Sequence, residues 1–399
     1  MKICAIVSEY NPFHLGHAHQ IDCIRKTYGE DTVIIAVMSG NYTQRGELAL
    51  SDKVERAKCA VLCGVNLVLE LPFPYSMASA EFFARGAVHI IHSLGVVDVL
   101  SFGSECGSLE TLRTIQGRMR SPEFLAKRKE LLEQDKTLGY PKANELAYTS
   151  LYAEDTFTFS PNNILGLMYL EALDDFSSGI EAHTLKRIGN SYNDTTLGGK
   201  IASASAIREG LRVGATDALT FCPPPVRECL SEAMEKNQLL FSPARLDALV
   251  LSHLLLNSSP NALIHEGEDG LYNRLLKNAR RASTISDLIT LSETKKYTKA
   301  RIRRVLWNSI IGVTSSNVRA LPSFTQLLGA DSSGLAILKR MKKCAKIKIL
   351  TKPSRIDGTD SLTSSQIDMS QKIDILYALA RDGHCPSEAI AYTPFIKKG

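Results

Sequence analysis

KICAIVSEYNPFHLGH, residues 2–17, decides how the rest of the chain is read. KICAIVSEY (2–10) is an apolar run with a branched core. NPFHLGH (11–17) then breaks it with Pro12 and Gly16. Glu9 and Pro12 interrupt the run too early for a secretion signal, and no small-residue cleavage site follows, so the run reads as a strand. A strand, a tight turn and a helix beginning near His17 form the opening of an α/β unit.

Outward from this stretch the alternation continues. Strands are expected at TVIIAVMS (32–39), NLVLELPF (66–73), VDVLSFGSE (97–105) and GIEAHTLKR (179–187). Helices are expected at 17–28, 51–63, 79–94, an interrupted region 108–154, and 161–174. Continuous apolar cores of this kind belong to strands buried on both faces of a parallel sheet. The fold class is therefore α/β, with an N-terminal doubly wound parallel sheet whose ligands bind at the carboxyl ends of the strands.

The prolines of CPPPVREC (222–229) mark a boundary. They divide a catalytic domain, 1–221, from a mainly helical domain, 222–399. Helices are expected there at 226–237, 243–256, 269–281, 283–293, 298–312, 332–345 and 366–382. KIKILTK (346–352) alternates and reads as a lone strand.

Charge follows the same division. The chain carries a net +5 over 399 residues. Residues 222–399 hold 26 Lys and Arg against 16 Asp and Glu, a net of +10, whereas residues 1–221 hold 21 against 26, a net of −5. The basic half is where a polyanionic partner is expected. No apolar run approaches the length of a membrane helix, so no membrane partner is expected. Nine cysteines, an odd number without C-x-x-C spacing, read as free thiols in a reducing cytoplasm. The oligomeric state is not legible in the sequence.

Two short patterns carry chemistry. His14 and His17 flank Gly16 where a helix begins. A helix start offers backbone N–H groups and partial positive charge, which suits phosphate. Imidazoles there would donate to a phosphate as negative charge builds. The competing reading is two polar residues at a plain helix start. The second pattern is IASASAIREG (201–210), where Ser203 and Ser205 precede Arg208. It reads either as a capped helix with a surface arginine or as a clamp on the β and γ phosphates. Gln44 and Arg45, in SGNYTQRGE (39–47), belong to a loop at the same rim. The loop either covers a small acid or receives an everted base.

Together the two patterns resemble the nucleotidyltransferase superfamily with a His-x-Gly-His motif. There a Ser-Ser-Thr-x-x-Arg-like motif follows strand five. Here Ala204 replaces its middle hydroxyl residue. The resemblance narrows through EYNPFHLGH, AVMSGNYTQRGELALSDKVERAK, LVLELPFPYSMASAEFFARGAV, LSFGSE, PNNILGLMYLEAL, LKRIGNSYND, SASAIREGL and KKYTKARIRRVLW. In that order, from residue 1 to about 350, they resemble the tRNA(Met) cytidine acetate ligase family.

The resemblance implies a Rossmann-like nucleotidyltransferase core and an ATP-dependent ligase. Such an enzyme acetylates N4 of the wobble cytidine of elongator tRNA(Met) through acetyl-adenylate, with ATP, Mg²⁺ and acetate. It implies an ATP-binding stretch of Val7, Ser8, Glu9, Tyr10, Asn11, Pro12, Phe13, His14, Leu15, Gly16, His17, Ala18, His19 and Gln20. It adds Gly103, Asn162, Arg187, Ile188 and Ser205, with His14, His17 and Arg208 catalytic. No protein metal ligand is implied. For tRNA the basic runs suggest Arg301, Arg303, Arg304, Lys342 and Lys343, against the alternative of a solvated helix face. Trp307 reads as core. The rival functions are a small-metabolite adenylyltransferase, which has no use for a +10 extension, and a non-catalytic RNA-binding protein that holds a nucleotide.

Overall fold

The computed structural model describes residues 1–187, 202–257, 259, 262–352, 360–381, 387 and 390–398. The first part runs β1 (Ile3–Ser8), α1 (Leu15–Tyr28), β2 (Val33–Ser39), α2 (Lys53–Leu62), β3 (Leu67–Leu71), α3 (Ala80–Ser93) and β4 (Val99–Ser104). It continues with α4 (Leu109–Met119), α5 (Pro122–Gln134), α6 (Tyr140–Leu151), α7 (Pro161–Asp175), β5 (Glu181–Lys186) and α8 (Ala204–Arg212). Then come α9 (Pro224–Glu235), α10 (Asp247–Ser252), α11 (Leu271–Ala279), α12 (Ile285–Ser292), α13 (Lys299–Ile311) and α14 (Ser315–Arg319). The chain closes with β6 (Phe324–Ala330), α15 (Ser332–Met341), β7 (Lys348–Leu350), α16 (Ser361–Ala380) and β8 (Phe395–Ile396).

The sheet order is β5-β4-β1-β2-β3-β6-β7, with β8 also on β6. β1 to β5 are parallel, as the apolar runs of β1 to β3 suggest. Side chains alternate between faces. Ile3, Ala5, Val33 and Ile35 pack with α3, α4 and α7. Cys4, Ile6, Ile34 and Ala36 pack with α1, α2, α8 and α9. β2 and β4 flank β1, so the chain's winding reverses there. The crevice at their carboxyl ends is the expected ligand site.

Three departures from the sequence reading have physical causes. β5 is a sheet edge, half exposed, which explains why GIEAHTLKR lacks a continuous apolar core. β6, FTQLLGA, is wholly buried yet was not expected as a strand. Its polar residues find tertiary partners: Thr325 Oγ1 donates to the Glu70 carbonyl at 2.6 Å, and Gln326 accepts from Tyr392 OH at 2.7 Å. β7 is not alone, because it pairs with β6.

The division at residue 222 is also less clean than the prolines suggest. α9 packs on α2, while β6 lies antiparallel beside β3. The helices α10 to α13 and α16 form their own core, which also takes in Tyr42, Phe73 and Met77. A buried ion cluster fastens the two parts. Lys53 Nζ lies 2.8 Å from Glu70 and 2.6 Å from Asp374 of α16. Among the described residues no helix is long and apolar enough to cross a membrane, and the cysteines are free.

Candidate active site

A cleft opens at the carboxyl ends of β1, β4 and β5. Val7, Ser8, Glu9, Tyr10, Asn11, His14, His17 and Gln20 line one side of it. Phe102, Gly103, Asn162, Tyr169 and Arg187 line another, and Ser203, Ala204, Ser205 and Arg208 close a third. The two motifs, nearly two hundred residues apart, therefore share one site. Arg208 joins them directly, since its guanidinium donates to the Asn11 carbonyl at 2.7 Å.

Pro12, Phe13, Leu15, Gly16, Ala18 and His19 of the expected ATP stretch lie off the lining. The reason is helical period. His14, His17 and Gln20 are three residues apart and share a face. Phe13 and Ala18 turn into the core beneath, and His19 contacts Cys23. Ile188 lies outside the described residues.

The helix start differs from expectation. α1 begins at Leu15, with His14 as its N-cap. The Gly16 N–H donates to His14 Nδ1 at 3.0 Å, and the His14 N–H donates to His17 Nδ1 at 3.2 Å. These backbone donors fix the imidazoles; they do not stand open for phosphate. Both Nδ1 atoms accept, so each neutral ring carries its hydrogen on Nε2. The rings stack with centroids 3.8 Å apart. Burial, then Arg187 and Arg208, pushes His14 down to about 3. Burial, then His14 and Arg187, holds His17 well below the usual histidine range. The site thus holds two neutral N–H donors beside two guanidinium groups.

The second motif is partly a cap. Ser203 Oγ accepts from the Ala206 N–H at 3.0 Å and starts α8. Ser205 Oγ accepts from Arg208 at 3.3 Å. The Arg208 guanidinium also lies 3.3 Å from Glu47.

The opposite wall depends on Glu105, a residue that the sequence reading left inside strand four. Ser160 Oγ donates to it at 2.6 Å, Asn162 Nδ2 at 2.7 Å and the Asn163 N–H at 2.8 Å. A carboxylate at the start of α7 suits the helix dipole. Burial alone would raise Glu105, but the bonds from Ser160 and Asn162 hold it below the usual range. The only sequence signal was an acidic residue after a strand end. At Gly103 an added Cβ would lie 3.1 Å from Arg187 Cγ, so glycine lets the arginine stem cross the strand.

Two polar side chains at this site, Asn11 and Glu9, bear on its charge. Asn11 Oδ1 accepts from the Leu50 N–H at 2.8 Å, while its Nδ2 has no partner. Glu9 accepts from the Gln44 N–H at 2.8 Å. Burial nevertheless raises its pKa. A buried donor left open beside arginines is suited to an anionic ligand.

The arginines expected to face tRNA also pair with carboxylates of this chain. Arg304 pairs with Glu266 at 2.7 Å, Arg301 with Asp269 at 3.0 Å and Arg303 with Glu47 at 3.0 Å. Trp307 is buried, as expected, and its Nε1 donates to the Gly46 carbonyl at 2.9 Å. Lys342 and Lys343 are exposed. They sit where the Lys346 N–H reaches the Ser93 carbonyl at 2.7 Å, before β4 begins. That is the end of the sheet opposite the cleft.

The family model for the HIGH nucleotidyl transferases matches residues 1–389. A tRNA(Met) cytidine acetate ligase of Acetivibrio thermocellus is 35% identical, over 95% of each chain. That of Halalkalibacterium halodurans is 38% identical, over 90% of this chain and 88% of its own. Two crystal structures of Thermotoga maritima TmcAL, one apo and one bound with alpha-thio ATP, superpose with TM-scores of 0.91 and 0.89 at 29% identity, covering all of both chains. A family match over nearly the whole chain, relatives at 35–38% identity and a fold shared over the whole length place this chain in the tRNA(Met) cytidine acetate ligase family of HIGH nucleotidyl transferases.

Proposed function

We propose that the cleft binds ATP and acetate, forms acetyl-adenylate, and passes the acetyl group to N4 of the wobble cytidine in elongator tRNA(Met). The observation that carries the reading is the pair of neutral imidazoles, locked as Nε2–H donors beside Arg187 and Arg208. In the first step an acetate oxygen attacks the α phosphorus, and the bond to the bridging oxygen breaks. His14 and His17 donate hydrogen bonds to the growing charge, and Arg208 holds the departing pyrophosphate. Neutral donors suit this task, since they need not lose or gain a proton during the step. In the second step cytosine N4 attacks the acetyl carbonyl, the carbon–oxygen bond to AMP breaks, and the N4 proton leaves. Positioning supplies most of the acceleration.

Val7 to Gln20 supply the nucleotide cradle through the residues facing the cleft, and Gly103, Asn162, Arg187 and Ser205 complete it. Mg²⁺ arrives with ATP as part of the substrate, carried on the phosphates. Lys342 and Lys343 contact the tRNA backbone away from the cleft. The chain works in the cytoplasm, beside its RNA substrate.

The test is acetate-dependent exchange of pyrophosphate into ATP without RNA, followed by mass spectrometry of tRNA for N4-acetylcytidine. His14→Ala and His17→Ala are expected to reduce exchange by at least a hundredfold, in line with the loss of a transition-state donor. Wild-type exchange in the double variant would overturn the assignment. Exchange with no acetylated tRNA would favour a small-metabolite adenylyltransferase.

A further inference from the structure

A second cavity, of about 490 Å³, adjoins the cleft and shares Ser205 and Arg208 with it. The wall between them is the loop 41–50. Gln44 faces the cleft, whereas Arg45, Gly46, Glu47 and Leu48 face the second cavity. Glu47 ties the wall on both sides, accepting from Arg208 at 3.3 Å and from Arg303 at 3.0 Å.

The lining of this cavity has two characters. Leu240, Ile285, Ile289 and Trp307 give it an apolar floor. Arg45, Arg208, Arg212 and Arg303 outnumber the two carboxylates, Glu47 and Glu209. Phe241 stands on the wall with 40% of its surface exposed, beside the apolar floor. A planar apolar ring joined to phosphates matches this combination. A small carboxylic acid would not need the apolar floor or the exposed ring.

We propose that the second cavity receives the everted acceptor nucleotide of the RNA, with its pyrimidine ring against Phe241 and its phosphates near Arg212 and Arg303. A base must leave its stack before its exocyclic amine can react, and aromatic stacking is a common way to hold it. Ser205 and Arg208 line both compartments, so the amine meets the acyl-adenylate there, at the margin of the loop 41–50. The inference rests on the ligase reading above, but its test is separable.

Phe241→Ala, Phe241→Tyr and Ser286→Trp would be made in the full-length chain, with melting temperatures to confirm folding. Exchange of pyrophosphate without RNA should stay within about twofold of wild type. Base–aromatic stacking contributes roughly 1–3 kcal/mol, so kcat/KM for tRNA should fall about 5- to 150-fold in Phe241→Ala. It should recover in Phe241→Tyr. Ser286→Trp, which fills the cavity, should lose transfer and keep exchange. Binding is read independently with a stem–loop RNA bearing either cytidine or an abasic residue at the acceptor position. Wild type should prefer cytidine, and Phe241→Ala should lose the preference. Equal binding of both RNAs by wild type, or unchanged transfer by Phe241→Ala, would overturn the inference. A wild-type chain that discriminates between the RNAs but shows no acetate-dependent exchange would overturn the ligase chemistry and leave the cavity assignment supported.

Discussion

His14 and His17 show how a histidine is made into a pure donor. Each Nδ1 is occupied by a backbone N–H, and burial disfavours the second proton. This has a consequence for stability. An unfolded histidine takes up its proton as pH falls through about 6.5, whereas folded His14 resists until about 3. Between those values the unfolded chain binds more protons, so stability rises with pH. The contribution is complete above the unfolded pKa and is lost as pH falls toward the folded one. The slope is at most about 1.4 kcal/mol per pH unit for each residue. His14→Asn should therefore flatten the dependence of melting temperature on pH between pH 6 and 4. The exchange rate should also show no histidine inflection between pH 6 and 8. An inflection near 6.5 that disappears in His17→Asn would mean that a protonated imidazole takes part.

The loop 41–50 and α13 act as one element. Gly46 has φ +70°, and an added Cβ would lie 2.6 Å from Arg303 Cβ and 3.0 Å from the Arg304 nitrogen. Only glycine lets the loop lie against the helix while its carbonyl accepts from Trp307. The arginine run of α13 is thus an anchoring device: Arg304 grips Glu266, and Arg303 grips the loop itself through Glu47. Gly46→Ala should destabilise the chain by about 1–3 kcal/mol and should lower acetyl transfer more than pyrophosphate exchange. Calorimetry with the two assays checks this. A variant with wild-type melting and wild-type transfer would show that the loop is not clamped.

At the scale of the whole molecule, two of the basic clusters lie far apart. Arg301, Arg303 and Arg304 stand in ion pairs near the rim, whereas Lys342 and Lys343 project at the far end of the sheet. An RNA whose acceptor base enters at the rim reaches the lysines only by running along the protein's side. Replacing Lys342 and Lys343 by Ala should reduce the slope of log affinity against log salt by up to about 2, since each phosphate contact contributes nearly one unit. Pyrophosphate exchange should not change. An unaltered slope would confine the RNA to the rim.

The alternation of strand and helix was legible because both periods are local: β1 to β4 are rich in apolar residues, and α1, α3 and α7 follow within a few residues of where their patterns begin. The pairing of His14-x-Gly-His17 with Ser203 to Arg208 at one rim was also legible, because parallel strands put all their carboxyl ends together. Other features depended on distant partners. β6 hides Thr325 and Gln326 in hydrogen bonds to Glu70 and Tyr392, so no run of apolar residues announces it. Glu105 comes to hold Asn162, which lines the cleft, only because the start of α7 folds over it. Arg301, Arg303 and Arg304 read as a basic stripe along the chain, yet their carboxylate partners lie 32 or more residues away. Local sequence sets periodicity and burial; whether a charge faces solvent, ligand or a counter-ion depends on which distant segment packs beside it, and that only the tertiary structure decides.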